Sequence, residues 1–119
     1  MMDNKKILVV DDEEAICRLM ELVFDNTGHT VLAVYNGADA VGAVKKEHFD
    51  IVFLDIIMKG MNGLETMEEI KKISPETQVV IITGNITDNV ITEKAIKGAD
   101  WLFYKPFDIK NIIDYVEKL

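Results

Sequence analysis

The feature that most constrains the fold is an apolar, strand-like run that alternates five times with a helix-like segment. The runs are short, rich in β-branched or aromatic residues, and bounded by turn residues, which is typical of buried strands. Strands are predicted at Lys6–Val10, Thr30–Tyr35, Ile51–Leu54, Gln78–Ile82 and Trp101–Tyr104. Apolar spacing and capping residues predict helices from about Ile16 to a stop near Gly28, at Ala38–Glu47, at Leu64–Ile73, from a cap at Thr87 or Asp88 to Gly98, and from a cap at Asp108 to Leu119.

Strands and helices that alternate in this way predict a parallel sheet with right-handed crossovers and helices on both faces. Five units are too few for an eight-stranded barrel, which takes about 250 residues. We therefore predict a single domain over residues 1–119 with a doubly wound, five-stranded α/β fold of strand order 2-1-3-4-5. In that order the winding reverses between the first and third strands, and a crevice opens at their carboxyl ends.

Composition narrows the class of protein. The formal net charge of −8 argues against nucleic-acid binding by this domain, because such binding needs Lys and Arg to neutralise phosphates. No apolar run approaches the roughly 20 residues of a membrane span, and no signal peptide is evident. Cys17 is the only cysteine, so no internal disulfide can form and the cytoplasm is the expected compartment.

Chemically useful residues follow four of the five predicted strands. Asp11 and Asp12 follow the first strand, Asp55 the third, Thr83 the fourth and Lys105 the fifth. In a parallel sheet these ends lie along one edge, where ligands of open α/β folds gather. Two carboxylates about 4 Å apart repel by about 4 kcal/mol at an effective dielectric near 20. Lys105 offsets part of this repulsion, and Mg²⁺, which prefers oxygen ligands, suits the rest.

Each of these residues also has a purely structural interpretation. Asp55 taken alone could equally be a helix cap or a turn residue. The acidic run 11–14 could be the first turn of a helix, favoured by the helix dipole, and we assign Glu13 and Glu14 to that role. Thr83 could be a loop hydroxyl and Lys105 a solvated side chain. The joint occurrence of all five residues at one sheet edge favours a site.

Three other residues receive structural assignments only. His29 and His48 lie near element boundaries with no evident partner, so we assign them no chemistry. Trp101 opens an edge strand and is expected to cover part of the core.

Over essentially its whole length the sequence resembles the receiver domain of two-component response regulators. Single motifs are weak signals, but their order and spacing together are specific. The matching motifs are Ile7–Glu13, Asp55–Met58, Gly60–Gly63, Val80–Gly84, Gly98–Asp100 and Lys105–Phe107.

The resemblance implies a role for each residue at the sheet edge. Asp55 would be the phosphoacceptor, taking a phosphoryl group from a phosphohistidine or a small acyl phosphate. Asp12, Asp55 and the backbone carbonyl of Ile57 would bind Mg²⁺ directly, with Asp11 acting through a bound water. Lys105 would neutralise charge on the phosphoryl oxygens and Thr83 would hydrogen-bond the attached group.

The family also implies a cis peptide bond before Pro106 and particular partners. Those partners are a sensor histidine kinase or histidine phosphotransferase and a downstream output domain or target. The domain would catalyse its own phosphorylation and dephosphorylation without being an enzyme in the usual sense. Its signal would leave through the surface of the fourth helix, fifth strand and fifth helix, which is also a possible dimer contact.

Two positions depart from the family pattern. Lys59 stands where the family usually has Pro, so the loop after Asp55 is expected to be less rigid and more positive. Leu102, three residues before Lys105, stands where the family usually has Tyr or Phe. The aromatic rotamer change that normally relays the signal is therefore expected to be altered, while the phosphorylation chemistry is not.

Two other functions deserve comparison. A phosphohydrolase of the haloacid dehalogenase type also uses an Asp nucleophile at a strand end, but it needs a second Asp two residues later. That position is Ile57, which cannot transfer a proton. A binding module such as a flavodoxin needs a phosphate cradle after the first strand, where the acidic run 11–14 would repel a phosphate. The other binding module of this kind, a receiver that had lost its chemistry, would lack one of the five site residues, and all are present.

Overall fold

A computed structural model describes residues 4–25, 27–58, 63–84, 93–94 and 97–119. Its strands are β1 (Lys6–Val10), β2 (Thr30–Val34), β3 (Ile51–Leu54), β4 (Gln78–Thr83) and β5 (Trp101–Tyr104). Its helices are α1 (Glu14–Phe24), α2 (Gly37–Lys46), α3 (Gly63–Ile73) and a C-terminal helix (Ile109–Glu117). Of the helix predicted before Gly98, residues 93–94 and 97–98 are described and helical. Its predicted caps, Thr87 and Asp88, lie outside the described residues.

The strands form one parallel sheet in the order β2-β1-β3-β4-β5, which confirms the predicted doubly wound topology. Val10 of β1 lies beside Val34 of β2 on one side and Leu54 of β3 on the other. The backbone hydrogen bonding continues for one residue past the ends of β1 and β3. The Asp11 N–H donates to the Val34 carbonyl (3.2 Å), and the Asp55 N–H donates to the Val10 carbonyl (3.0 Å). The carboxyl ends of the central strands are therefore level with each other.

Helices cover both faces of the sheet, and alternate strand residues supply two cores. Leu8 and Val10 face α2 and α3, whereas Ile7 and Val9 face α1 and the C-terminal helix. The three central strands are buried on both sides, which explains their continuous apolar sequence. Each fully buried side chain of this kind contributes about 1.5–3 kcal/mol relative to exposure.

Capping residues define where two helices begin. Asn36 Oδ1 accepts a hydrogen bond from the Asp39 N–H (2.8 Å), so α2 begins one residue earlier than predicted. Asp108 Oδ1 accepts from the Lys110 N–H (2.9 Å) and caps the C-terminal helix, as predicted. Such a cap is worth about 1 kcal/mol. The helix stop predicted at Gly28 is wrong by position, since α1 ends at Phe24 and Gly28 lies in the following loop with φ of +90°.

The structure corrects the assignments of His29 and Trp101. The His29 ring is buried; its Nδ1 accepts from the Lys5 N–H (2.8 Å) and its Nε2 lies 3.1 Å from Glu117 Oε1. It therefore ties the start of the chain to the C-terminal helix. Trp101 is 55% exposed and stacks on Tyr115, with ring centroids 6.2 Å apart, so it covers a neighbouring ring rather than the core.

His48 also has neighbours that the sequence did not indicate. The His48 ring nitrogens lie 3.8 Å from Asp50 Oδ1 and 3.5 Å from Glu76 Oε1, so this exposed histidine does have acidic neighbours. Within the described ranges, none of the helices has the length and apolar character needed to cross a membrane.

Candidate functional site

Two buried carboxylates stand at the carboxyl ends of β1 and β3. Asp11 is fully buried and Asp55 nearly so. Their positions follow from the sheet, because adjacent parallel strands that end level place the next residues side by side. Asp55 Oδ1 accepts a hydrogen bond from the Ile57 N–H (2.9 Å), and Asp11 Oδ1 accepts from the Glu13 N–H (2.9 Å). Each carboxylate is thus oriented by the turn that follows it.

Lys105 directly follows β5, the edge strand of the sheet, and its side chain reaches these carboxylates. Its N–H donates to the Thr83 carbonyl (2.8 Å), which extends the β4–β5 pairing by one residue. Its ammonium Nζ lies 2.8 Å from Asp11 Oδ2, 2.9 Å from Glu13 Oε1 and 3.0 Å from Asp55 Oδ2. The peptide bond between Lys105 and Pro106 is cis, as the resemblance implies. One ammonium therefore joins acidic groups from two strand ends.

Burial and hydrogen bonding act in opposite directions on the pKa values of Asp55, Asp11 and Lys105. Desolvation raises the pKa of Asp55 above its usual value, although hydrogen bonds from Ile57 and Lys105 act in the opposite direction. The pKa of Asp11 is raised for the same first reason, against the hydrogen bond from Lys105. Burial lowers the pKa of Lys105, but its bonds to Asp11, Glu13 and Asp55 outweigh that effect and raise the pKa overall. The site is short of positive charge and favours a further cation or proton.

The predicted cation ligands meet at this edge. Asp11, Asp12 and Asp55 each offer a carboxylate oxygen, and the three oxygens lie within 4.8 Å of one another. Carboxylate oxygens are hard ligands that suit Mg²⁺ or Ca²⁺. Two of the three residues are buried and Asp12 is partly exposed, which leaves one side of the group accessible. The donor set therefore fits a divalent cation by its chemistry.

Thr83 lies at the end of β4, next to the strand that carries Asp55. Its hydroxyl is fully buried and has no hydrogen-bond partner among the residues that the structure describes. A buried hydroxyl without a partner is costly, by about 1–3 kcal/mol. A hydrogen bond from the Thr83 hydroxyl to a bound ligand would remove this cost. Leu102 lies on β5 opposite Ile81 and packs, half-buried, against the core that α2 and α3 cover.

Close packing fixes the backbone after Asp55. A Cβ atom built on Gly63 would lie 2.3 Å from the Ile56 Cα, so only glycine permits this approach of α3. The side chain of Ile57 is half-exposed beside the acidic group. Lys59, the predicted departure in the same loop, lies outside the described residues.

Sequence reasoning missed two contacts at the site. Glu13, assigned to the first turn of a helix, is the N-cap residue of α1, and its side chain binds Lys105 instead of capping the helix. Cys17 lies behind Asp11, with its Sγ 3.4 Å from the Asp11 carbonyl oxygen. Burial, together with the Asp11 charge, raises the pKa of the Cys17 thiol to about 11, so it stays protonated. The only sequence signal for the contact between Glu13 and Lys105 was the position of Glu13, two residues after Asp11.

Comparison with known proteins identifies the family of the chain. The family model for the response regulator receiver domain matches residues 7–117. Sporulation initiation phosphotransferase F of Bacillus subtilis (strain 168) is 39% identical over 117 residues, which cover 98% of this chain and 94% of that protein. The transcriptional regulatory protein ZraR of Escherichia coli (strain K12) is 33% identical over 116 residues, or 98% of this chain and 26% of that protein.

Solved structures show the same fold. A CheY-like receiver domain protein from Methanospirillum hungatei JF-1 has a TM-score of 0.91 at 23% identity and covers 98% of this chain and 93% of its own. NtrX from Brucella abortus has a TM-score of 0.86 at 32% identity, and the match covers 98% of this chain and 27% of the NtrX chain. The chain thus spans about a quarter of NtrX and nearly all of the Methanospirillum hungatei protein. By sequence and fold, the chain belongs to the response regulator receiver domains, the phosphoacceptor domains of two-component signalling.

Proposed function

We propose that Asp55 is the residue that accepts the phosphoryl group, and that residues 1–119 act as one receiver domain. The observation that carries the proposal is the buried Asp55 carboxylate, held 3.0 Å from the Lys105 ammonium at the end of the central strand. Its place beside Asp11 and Asp12 supports a site for transfer of an anionic group with cation assistance. The name of the Bacillus subtilis relative, a phosphotransferase, is consistent with such chemistry.

In the proposed reaction, an Asp55 carboxylate oxygen attacks phosphorus and forms an acyl phosphate. The bond from phosphorus to a histidine nitrogen of the partner, or to the oxygen of a small acyl phosphate, breaks at the same time. Lys105 stabilises negative charge on the phosphoryl oxygens, which is the main task in phosphoryl transfer. The Ile57 N–H holds the other Asp55 oxygen in place through the 2.9 Å bond.

A Mg²⁺ ion held by Asp11, Asp12, Asp55 and the Ile57 carbonyl would supply the remaining positive charge. Asp12, Asp55 and the Ile57 carbonyl would be its direct protein ligands, with Asp11 acting mainly through a bound water. The raised pKa values of Asp11 and Asp55 support this assignment, since burial leaves both carboxylates short of compensating charge. The same residues would let the domain catalyse its own phosphorylation and, with water as attacking group, its dephosphorylation.

The signal would begin at Thr83. Its buried hydroxyl, which lacks a partner in the described part of the chain, would turn to bond the attached phosphoryl group. Leu102 has no hydroxyl and little bulk, so it would follow this movement less than an aromatic residue. We therefore propose that the surface formed by the predicted fourth helix, β5 and the C-terminal helix responds mainly through its backbone. Most of that fourth helix lies outside the described residues.

The partners proposed for the domain are a sensor histidine kinase or histidine phosphotransferase, in the cytoplasm, and a downstream output domain or target. ZraR and NtrX, which extend well beyond the matched region, support an output domain as one kind of partner. A dimer through the responding surface is a further possibility that this family membership suggests.

The proposal is tested by incubating the protein with acetyl phosphate and Mg²⁺ and measuring its intact mass. One phosphoryl group should be added to the wild type and none to Asp55→Asn, which retains the shape of the side chain without its nucleophilic charge. Asp50→Asn is the matched control, because Asp50 lies at the opposite end of β3 and should leave the labelling unchanged. Equal labelling of the wild type and Asp55→Asn would rule out the assignment.

A further inference from the structure

The Lys105 ammonium is shared by three carboxylates, of which one has no part in the proposed reaction. An ammonium has three N–H donors, and oxygens of Asp11, Glu13 and Asp55 all lie within 3.0 Å of this one. Asp11 and Asp55 are buried members of the acidic group, whereas the Glu13 side chain is 60% exposed. Lys105 itself is only 14% exposed; its ammonium donates hydrogen bonds to Glu13 Oε1 and Asp55 Oδ2 and forms an ion pair with Asp11 Oδ2.

The backbone of Glu13 is firmly held. Its N–H donates to Asp11 Oδ1 (2.9 Å), and its carbonyl accepts from the N–H groups of Ile16 (3.1 Å) and Cys17 (3.3 Å) at the start of α1. The side chain occupies the N-cap position but makes no capping hydrogen bond. Its carboxylate is instead committed to Lys105, 92 residues along the chain.

We propose that Glu13 restrains phosphorylation by holding the Lys105 ammonium, so that a phosphoryl group on Asp55 must compete with Glu13 for it. The inference rests on the function proposed above. A phosphoryl group brings three acceptor oxygens and about −1.5 to −2 charges to the site. Its oxygens need the same Lys105 donors that Glu13 now uses, and the Glu13 charge repels them. Both effects act against the phosphorylated state.

Removal of the restraint should leave Lys105 in place. In Glu13→Gln the ammonium keeps its ion pairs with Asp11 and Asp55, which come from buried residues. The Glu13 partner of this ion pair is 60% exposed, so the pair contributes only the modest amount typical of a pair that water screens. At saturating Mg²⁺, the variant should therefore bind the phosphoryl mimic beryllofluoride about 1.4- to 5-fold more tightly than the wild type.

Two further variants separate the contact from the charge. Glu14→Gln removes the same charge from the next residue, which is exposed on the first turn of α1, and should change the affinity little. Glu13→Asp keeps the charge but is one methylene shorter, and Asp at an N-cap turns toward the helix N–H groups. It should lose the contact with Lys105 and tighten binding as Glu13→Gln does.

The measurement is a titration of beryllofluoride at fixed, saturating Mg²⁺, followed by amide NMR. Tighter binding by both Glu13 variants, with Glu14→Gln close to wild type, supports the restraint. Unchanged binding by Glu13→Gln overturns it, and so does a Glu13→Asp variant that behaves as wild type while Glu13→Gln binds more tightly, because then only the charge matters. A wild type that binds no mimic at all refutes the proposed function and this inference together.

A second readout needs neither metal nor mimic. The protons of the Lys105 ammonium exchange with water more slowly when they are hydrogen-bonded, and NMR of the side-chain nitrogen follows that exchange. Glu13→Gln should speed the exchange, whereas Glu14→Gln should not. Unchanged exchange in Glu13→Gln would show that the Glu13 contact is not made in solution, even if the phosphorylation chemistry of Asp55 is correct.

Discussion

Replacing Asp55 with Asn should stabilise the metal-free protein at neutral pH, although Asp55 forms an ion pair with Lys105. At an effective dielectric of 20, attraction to Lys105 at 3.0 Å is worth about 5.5 kcal/mol. Repulsion from each of the Asp11 and Asp12 carboxylates, within 4.8 Å, costs about 3.5 kcal/mol. These contributions nearly cancel, so the cost of burying the charge decides the outcome.

That burial cost amounts to several kcal/mol per buried ion. Asn retains an oxygen that can accept a hydrogen bond from Lys105. Because its amide is neutral, burying it costs less than burying the Asp55 carboxylate. We expect a net gain of about 1–3 kcal/mol in the free energy of unfolding, with a rise in Tm of about 3–5 °C for each kcal/mol. Thermal and urea unfolding with a chelator present measure both quantities.

The pH dependence follows from the raised pKa of Asp55 in the folded protein. Protonated Asp55 is favoured by folding, so its contribution to stability is complete below the unfolded value of about 4 and is lost as pH rises through the folded pKa. The advantage of Asp55→Asn should therefore grow from acid to neutral pH. An Asn variant that is less stable than the wild type at neutral pH, or an advantage that does not change with pH, would refute this reasoning.

Three other predictions concern the cation site, the hydrogen bond from Lys5 to His29, and the structural response to phosphorylation. Asp12→Ala should be no less stable than the wild type without metal and should lose the Tm gain that Mg²⁺ provides, as melting with and without Mg²⁺ will show; an unchanged gain would place the ion elsewhere. His29→Ala should lower the free energy of unfolding by about 1–3 kcal/mol, because it leaves the partly buried Lys5 N–H unpaired; urea unfolding measures this, and an equally stable variant would contradict it. Beryllofluoride should shift the Gly84 amide in wild type and Leu102→Tyr alike, with a new side-chain rotamer only in the Tyr variant, as NMR can test; a rotamer change at Leu102 without a Gly84 shift would contradict it.

The parts of the site that the sequence predicts are those that strand order alone brings together. Asp11 and Asp55 follow strands that pair directly, and Lys105 follows the edge strand of the same sheet. Because all parallel strands end at one edge, no side-chain detail is needed to predict that these residues meet. The cis bond before Pro106 came from the family resemblance and not from the residues themselves.

Contacts made by long side chains between distant segments were not predictable. Glu13 reaches Lys105 across 92 residues of sequence, and His29 reaches Glu117 across 88. Nothing in a local pattern distinguishes such a residue from a solvated charge or a loop histidine. Trp101 illustrates the same limit, because its apolar surface indicated the core while its actual partner is the Tyr115 ring on another element.

The central claim is that Asp55 itself carries the phosphoryl group, and the most direct test is to locate the modified residue. After treatment with acetyl phosphate and Mg²⁺, reduction with borohydride converts an aspartyl phosphate to homoserine, which peptide mass spectrometry can place in the sequence. We predict homoserine at position 55 and at neither Asp11 nor Asp12. Homoserine at either of those two positions, with Asp55 unmodified, would contradict the account.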